Sequence, residues 1–498
     1  MILLKFAVQI AKNIEVMRLF KTCLIFILGS MQAYAQEKIP GEIPTPNAAS
    51  LGRFGDIPMS YYTGCANIDI PLYNFNVRGV QLPISLSYDG TGMLMNSLPS
   101  WTGMNWALNC GGVITRQKCG EYDEQIFPSQ AHIVYSRYFE SYNKLPQVVN
   151  DNSLLWNEIY TYQDLAPDIF SFNFMGKTGK FFLGNDGQWK VRSKENLEVL
   201  FNIADANNYI YPLFQHYPKM NAGDPQPKVI KGFTIRDENG TCYVFGGSND
   251  AIDYTTEFFH MSVEEDVVSW HPTSWYLTKV IDKYGQDLYN FTYTRGKYVV
   301  QVYNCYQNIS NYNVSTWHNL VSFSWHDGYE EFPYGVAINS PVYLTNVTAN
   351  NGVQVNFSLA DNPISIKNMY SVLYVDGVDK LYERMARRVA KWCEKYPPDG
   401  GRFGEFMAMP GAFYYLQLDD SGNLGIEPKK DILSYAGLKY LSSMTIIMNP
   451  ELGTSNSVIR YLFLYNFAPR MVMTNINILE GNQQRLMGKY KMNYFSNR

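Results

Sequence analysis

A two-residue alternation of apolar and polar side chains returns along almost the whole of this chain, and it limits the folds open to it more than any other feature. Ile68, Ile70 and Leu72 alternate with Asp69 and Pro71, and Leu82, Ile84, Leu86 and Tyr88 alternate with Pro83, Ser85 and Ser87. On a strand, successive side chains point to opposite faces, so each run sets one apolar face on a core and one polar face toward water. Phe170, Phe172 and Phe174 repeat the pattern, as do Phe181 and Leu183 ahead of Asn185-Asp186-Gly187. Phe233 and Ile235 do so again before Asp237-Glu238-Asn239-Gly240, which leads into Tyr243 and Phe245. Asn-Gly and Asp-Gly pairs accept positive φ and suit tight turns, so these segments read as antiparallel hairpins.

The second half carries a loose repeat of the same plan. Residues 277–293, 344–357, 441–467 and 476–494 each run apolar strand, glycine-containing turn, then a return strand with aromatic residues at every second place. Tyr289, Phe291 and Tyr293 share one face of their strand, and Tyr461, Phe463, Tyr465 and Phe467 share another. The spacing is irregular, so a fixed-period solenoid is excluded and a sheet extended hairpin by hairpin is expected. Aromatic residues make up 15% of the chain, with 39 tyrosines and 28 phenylalanines, which suits pleated, half-buried surfaces. The fold class is therefore all-β and mainly antiparallel, a long curved sheet of hairpins. One segment departs from it: apolar residues from Val378 to Tyr396 follow a helical period that Pro397-Pro398 stops, predicting an inserted helix over 378–396. Arg384, Arg387, Arg388 and Lys391 fall on its solvated side.

The N-terminus reads as an export signal. Arg18 and Lys21 precede the apolar run Leu24 to Leu28, and Ala33-Tyr34-Ala35 supplies the small residues of a cleavage site, placing cleavage after Ala35 and a second candidate start at Met17. The apolar run is too short for a span, which takes about 20 residues, and no later segment reaches that length. The mature chain is expected outside the cytoplasm or at the cell surface, without a transmembrane helix. A net charge of −4 supplies no basic field, so nucleic acid is not an expected partner. After cleavage six cysteines remain, with no CxxC pair; Cys110 and Cys119 flank one strand and are the candidate disulfide, against scattered buried thiols.

The stretch from Leu82 to Arg116 concentrates glycine and tryptophan between two strands. It resembles the N-terminal region of exported Rhs/YD-repeat proteins of Gram-negative bacteria. More distantly it is similar to the N-terminal domain of virulence-plasmid B proteins and of insecticidal toxin-complex B subunits. That pattern runs strand, "LSY", a glycine link, "GxGWxL", then "GxIxR", and it falls on Leu86-Ser87-Tyr88, Gly103, Trp106, Leu108, Gly112, Ile114 and Arg116, with Trp101 just ahead and Gly111 beside Gly112. The resemblance implies YD-repeat hairpins coiled into a hollow β-cocoon around a C-terminal toxin. The family's Asp-Pro-x-Gly core signature is absent before Arg498, so a truncated member, or a core and toxin cargo encoded downstream, is expected. The expected organisation is signal peptide 1–35, toxin-B-like strand and tryptophan–glycine region 36–126, hairpins 127–270, and YD-like repeats with the inserted helix 271–498.

Two readings of the tryptophans follow. As structure, Trp101 and Trp106 bury large apolar area over the first strands, Gly103, Gly111 and Gly112 allow close backbone approach, and Arg116 reaches a nearby Asp or Glu such as Glu121 or Asp123. As a binding site, the indoles form a platform for a surface glycan. An enzyme is not expected, because GxSxG, HExxH, Walker and GxGxxG patterns are absent and the six histidines lack ligand spacing. No catalytic residue, metal or cofactor is assigned. Glu264-Glu265-Asp266 is the acid cluster a secreted glycosidase could draw on, and residues 419–425 read as a turn rather than a calcium loop.

Overall fold

The computed structural model describes residues 68–90, 97–120, 122–124, 137–143, 164–212, 228–258, 271–304, 310–317, 320–327, 334–364, 437–448, 458–467, 470–481 and 484–494. The chain divides at Gly41/Glu42, and all described residues fall in the second unit. The helix expected over 378–396, residues 259–270 and residues 419–425 lie outside the described residues.

The alternating runs become strands. β1 (Ile68–Val77) and β2 (Val80–Tyr88) form a hairpin whose turn residues Arg78 and Gly79 have φ of 51° and 85°. Positive φ at both central positions matches the twist of the flanking strands, and Arg78 fills a place usually held by Asn or Asp. β3 (Trp106–Asn109) extends this ribbon through β2, with Leu86 opposite Leu108. β4 (Gly112–Gln117), β5 (Ile169–Phe174), β6 (Lys177–Leu183) and β7 (Trp189–Ser193) follow as a meander, and β8 (Leu197–Leu200) lies beyond it. One four-residue helix, α1 (Tyr138–Ser141), sits between β4 and β5 in the chain. β9 (Tyr209–Ile210) and β10 (Val229–Ile230) are a short pair. Then come β11 (Gly232–Asp237), β12 (Cys242–Gly246), β13 (Ile252–Phe258), β14 (His271–Ile281), β15 (Asp287–Arg295) and β16 (Val299–Asn304). β17 (Ser310–Trp317) and β18 (Leu320–Asp327) pair with each other. β19 (Tyr334–Ser340), β20 (Val342–Ala349), β21 (Gln354–Asp361), β22 (Lys439–Ile447), β23 (Val458–Asn466), β24 (Val472–Glu480) and β25 (Arg485–Lys491) complete the set.

Among the described residues every strand pairing is antiparallel, and the large assembly is two open sheets sharing one strand. The first runs β7-β6-β5-β4-β14-β13-β19-β16. The second runs β8-β11-β12-β14-β15-β20 and then through β21 to β25 in chain order. Each strand of that final run pairs with its sequence neighbour, as the repeat predicts.

β14 has four partners because its two halves belong to different sheets. Its first half, His271 to Tyr276, lies between β13 and β4, and its second half lies between β12 and β15. β12 and β13 run the same way along it, one after the other, and Gly246 and Gly247 at positive φ let the chain step out between them. Where the sheets meet, both faces are covered, and the expected alternation disappears: Pro272 to Leu277 are all buried. Trp275 and Leu277 face the main core, while Tyr276 packs on the far side with Val113 and Val342. Asp253 anchors that far side, accepting from the Tyr276 hydroxyl (2.8 Å) and the Val342 N–H (2.7 Å).

The main core is continuous from Phe75 and Leu82 in the first ribbon to Ile476 in β24. Its packing is dense in aromatic rings: Phe170 alone stands 4.9–6.0 Å from the rings of Phe181, Trp189, Phe233 and Trp275. Tyrosine hydroxyls tie the layers together. Tyr461 donates to the Leu72 carbonyl (2.6 Å) and Tyr289 to the Val80 carbonyl (2.7 Å), strapping the first ribbon to strands far along the chain. Tyrosine suits this place because its ring fills apolar volume while its hydroxyl satisfies a backbone group.

Trp275 tests the shared strand. Its indole is fully buried and donates to the Ile230 carbonyl at 3.0 Å. Trp275→Phe leaves that carbonyl unpaired and a void beside it, so unfolding free energy should fall by about 2–4 kcal/mol in a urea titration.

Candidate functional site

The tryptophan–glycine stretch is a tight turn held against the β20–β24 part of the second sheet. Gly103 N–H donates to the Ser100 carbonyl (3.0 Å), and the Ser100 and Thr102 hydroxyls both donate to the Trp106 carbonyl (2.6 and 2.8 Å). Gly103 has φ of 101°, and a Cβ there would come within 3.2 Å of the Met473 amide nitrogen, so conformation and space both require glycine. The turn is stitched outward as well. Leu441 N–H donates to the Trp101 carbonyl and Met104 N–H to the Met471 carbonyl, each at 2.8 Å.

Both indoles are inside. Trp101, 7% exposed, packs against Tyr343 and Phe357 with centroids 6.0 and 6.2 Å away. Trp106, 3% exposed, lies 5.1 Å from the half-buried Tyr88 and donates its Nε1–H to the Tyr494 hydroxyl (2.8 Å), which in turn donates to the Met473 carbonyl (2.6 Å). Gly111 lies under the Phe291 ring, and Gly112 opposes Phe174 so closely that a Cβ would stand 2.2 Å from the phenylalanine Cβ.

Arg116 ends the stretch in a buried ion cluster. Gly112, Ile114 and Arg116 occupy alternate, core-facing positions of β4, which carries the guanidinium inward. Its Nε donates to Asp168 Oδ2 (2.8 Å), its first terminal nitrogen donates to Glu124 Oε1 (2.8 Å), and its second pairs with Glu124 Oε2. The rings of Tyr122, Phe170 and Trp275 surround it at 5.0–5.9 Å. Asp168 also accepts from the Cys119 N–H (2.8 Å) and the Asp123 N–H (3.3 Å), while Asp123 accepts from the Asp168 N–H (3.0 Å). The expected nearby acid is Glu124, and the second partner lies far along the chain. Arg116 pairs with Glu124 and Asp168, Asp123 joins through backbone bonds with Asp168, and Glu121 lies outside the described residues. The missed signal was parity: Asp168 shares the inward row of Phe170, Phe172 and Phe174.

Burial sets the electrostatics here. It pushes the Asp168 carboxyl up to about 6 against the opposing pull of Arg116 and the Cys119 N–H. It also lifts Asp123 well above the carboxylate range, helped by the Asp168 charge. His271 stacks on Tyr122 with centroids 3.5 Å apart and is held well below its ordinary value by desolvation and by Lys118, Arg116 and Arg137. Among the described residues no group of three or more His, Cys, Asp or Glu side chains has metal-binding geometry. Cys110, Cys119 and Cys242 are in no disulfide, so the candidate Cys110–Cys119 bridge does not form. The cluster joins β4, the Tyr122–Glu124 loop and the start of β5 to the shared strand. Its arrangement holds position, and its carboxylates are engaged with internal donors.

No family model matches the chain, and no curated protein matches it. Among solved structures, the N-terminal domain of effector protein SpvB from Salmonella typhimurium strain LT2 is similar at 11% identity and a TM-score of 0.29, over 87% of this chain and 100% of that one.

Two outcomes follow from the cluster. Arg116→Met strands two buried carboxylates and should cost about 3–5 kcal/mol at pH 7.5. The deficit should shrink as pH falls through 6, where protonation removes the unpaired charge, and urea midpoints across pH 5 to 8 read both. His271→Gln should gain on the wild type as pH falls below about 6.5. Only the unfolded wild-type histidine then binds a proton, which erodes wild-type stability by up to ~1.4 kcal/mol per pH unit.

Proposed function

We propose that this chain is a noncatalytic, exported β-shell protein of the Rhs/YD-repeat kind, acting at the cell surface or outside the cell in cell–cell contact or in packaging a toxin. Export rests on the signal-like residues 1–35, and the family on the motif that ends at Arg116. The observation that carries the noncatalytic reading is the use of that motif. Trp101, Gly103 and Trp106 are taken up in packing the first ribbon against the sheet, Gly112 in the close approach of β4 to β5, and Arg116 in the buried ion cluster, with none left to face a substrate. Hairpins added one beside the next from β20 to β25 support a wall that encloses or touches a partner. The proposed partner is a toxin cargo or a core encoded downstream. A glycan-binding module is the second reading, but a platform of Trp101 and Trp106 requires indoles at the surface, and both are buried. A secreted glycosidase draws no support from the buried Asp123 and Asp168, which accept internal hydrogen bonds.

The test uses the full chain, tagged at its C-terminus, in a Gram-negative host. The tagged protein should lose residues 1–35, reach the cell exterior and yield to added protease on intact cells. It should also be inert toward a panel of glycans in both binding and hydrolysis. Trp101→Ala should lower the urea midpoint by an amount equivalent to about 3–5 kcal/mol. Sugar release from the panel, or a Trp101→Ala protein with wild-type stability that loses glycan retention, overturns the reading.

A further inference from the structure

β25 differs from every other strand of the second sheet in how little covers it. Among the described residues it pairs with β24 alone, leaving the backbone N–H and C=O groups of its other edge without a strand. The register places Gly488 and Tyr490 opposite Ile478 and Ile476, so these two continue the core-facing row of β24, while Leu486 stands opposite Leu479 beyond a register shift. Ile476 and Leu479 are buried, yet Leu486 is 58% and Tyr490 40% exposed, and Met487 beside them is 59% exposed. A Cβ built on Gly488 would meet nothing nearer than Ile478 Cδ1 at 3.5 Å. The apolar layer of the sheet therefore runs one strand further than its cover.

The charge on this strand is of one sign. Arg485, Lys489 and Lys491 are exposed and form no ion pair among the described residues. Lysines on an edge usually keep sheets from joining. A merely guarded edge, however, carries few apolar side chains, and here large ones alternate with the cations.

We propose that the free edge of β25 receives an extended acidic strand from a partner protein. The added strand pairs its backbone with the open edge, lays an apolar residue beside Tyr490 on one face, and sets carboxylates beside Lys489 and Lys491 on the other. A second copy of this chain does not fit. Antiparallel self-pairing centred on Gly488 sets Arg485 against Lys491, and like charges directly opposed destabilise a sheet. An anionic lipid surface answers the charge and the apolar residues but not the row of backbone groups. The inference holds whether or not the protein is a shell.

The test measures fluorescence anisotropy with the full-length protein and labelled peptides of about nine residues, the length of an ordinary strand. One peptide alternates glutamate with valine and the other lysine with valine; vesicles containing phosphatidylserine form a third arm. The glutamate peptide should bind, more weakly as salt rises, and should slow hydrogen exchange in β25, while the lysine peptide should not bind. The double substitution Lys489→Glu with Lys491→Glu should reverse that order by about tenfold, with an unchanged urea midpoint because both side chains are exposed. If that protein fails to fold, Lys489→Gln with Lys491→Gln should weaken the glutamate peptide by about threefold to fivefold. Equal binding of the two peptides, an order that charge reversal leaves intact, or capture by vesicles without peptide binding overturns the proposal.

Discussion

The structure depends on one strand being shared by two sheets. β14 contributes its first half to one and its second half to the other, so its middle has neighbours on both edges and side-chain cover on both faces. A strand covered on both faces has no polar side to turn to water, and its polar groups must be satisfied from within. Tyr276 answers this through Asp253, and Trp275 through the Ile230 carbonyl. The buried ion cluster lies at the same junction, where Arg116 faces Trp275 and His271 begins the strand. Burying such charges is costly unless each is paired and hydrogen-bonded, and Arg116 meets two carboxylates that other donors also hold.

The second organising contact joins the ends of the described fold. The turn around Gly103 bonds to residues at Leu441 and Met471, Trp106 reaches Tyr494, and Tyr461 reaches Leu72. These contacts span more than three hundred residues of sequence, with loop-closure costs that local hairpins avoid. Apolar burial offsets that cost, since the first ribbon turns Phe75, Leu82 and Leu86 onto the same core as Tyr461 and Ile476. The many tyrosines now have a physical role. Rings fill the space between layers, and hydroxyls at Tyr289, Tyr293, Tyr461, Tyr465 and Tyr494 donate to main-chain carbonyls that strand pairing leaves open.

A motif rich in tryptophan and glycine invites a reading as a binding surface, and its geometry shows why such a reading needs a structure. Exposed indoles and buried indoles have the same sequence. What separates them is whether other strands arrive to cover them, and here Tyr343, Phe357, Tyr88 and Tyr494 do. The opposite holds at β25, where a row that reads as core is left bare because no described strand reaches its edge.

Period-two patterning alone determined the strand class, the hairpins at β5–β6, β11–β12 and β14–β15, and the run from β20 to β25, because side-chain direction on a strand alternates whatever it packs against. Gly103 and Arg116 were marked by the tryptophan–glycine motif they share with the family the stretch resembles. Tertiary structure decided the rest. Alternation cannot say that β14 joins two sheets, since a run buried on both faces loses the signal. Nor can it choose Glu124 and Asp168 over nearer acids, because the partner of a buried charge is set by which strand lies alongside. Register supplies that information: Arg116 stands opposite Phe170, which brings Asp168 within reach across fifty-two residues of chain.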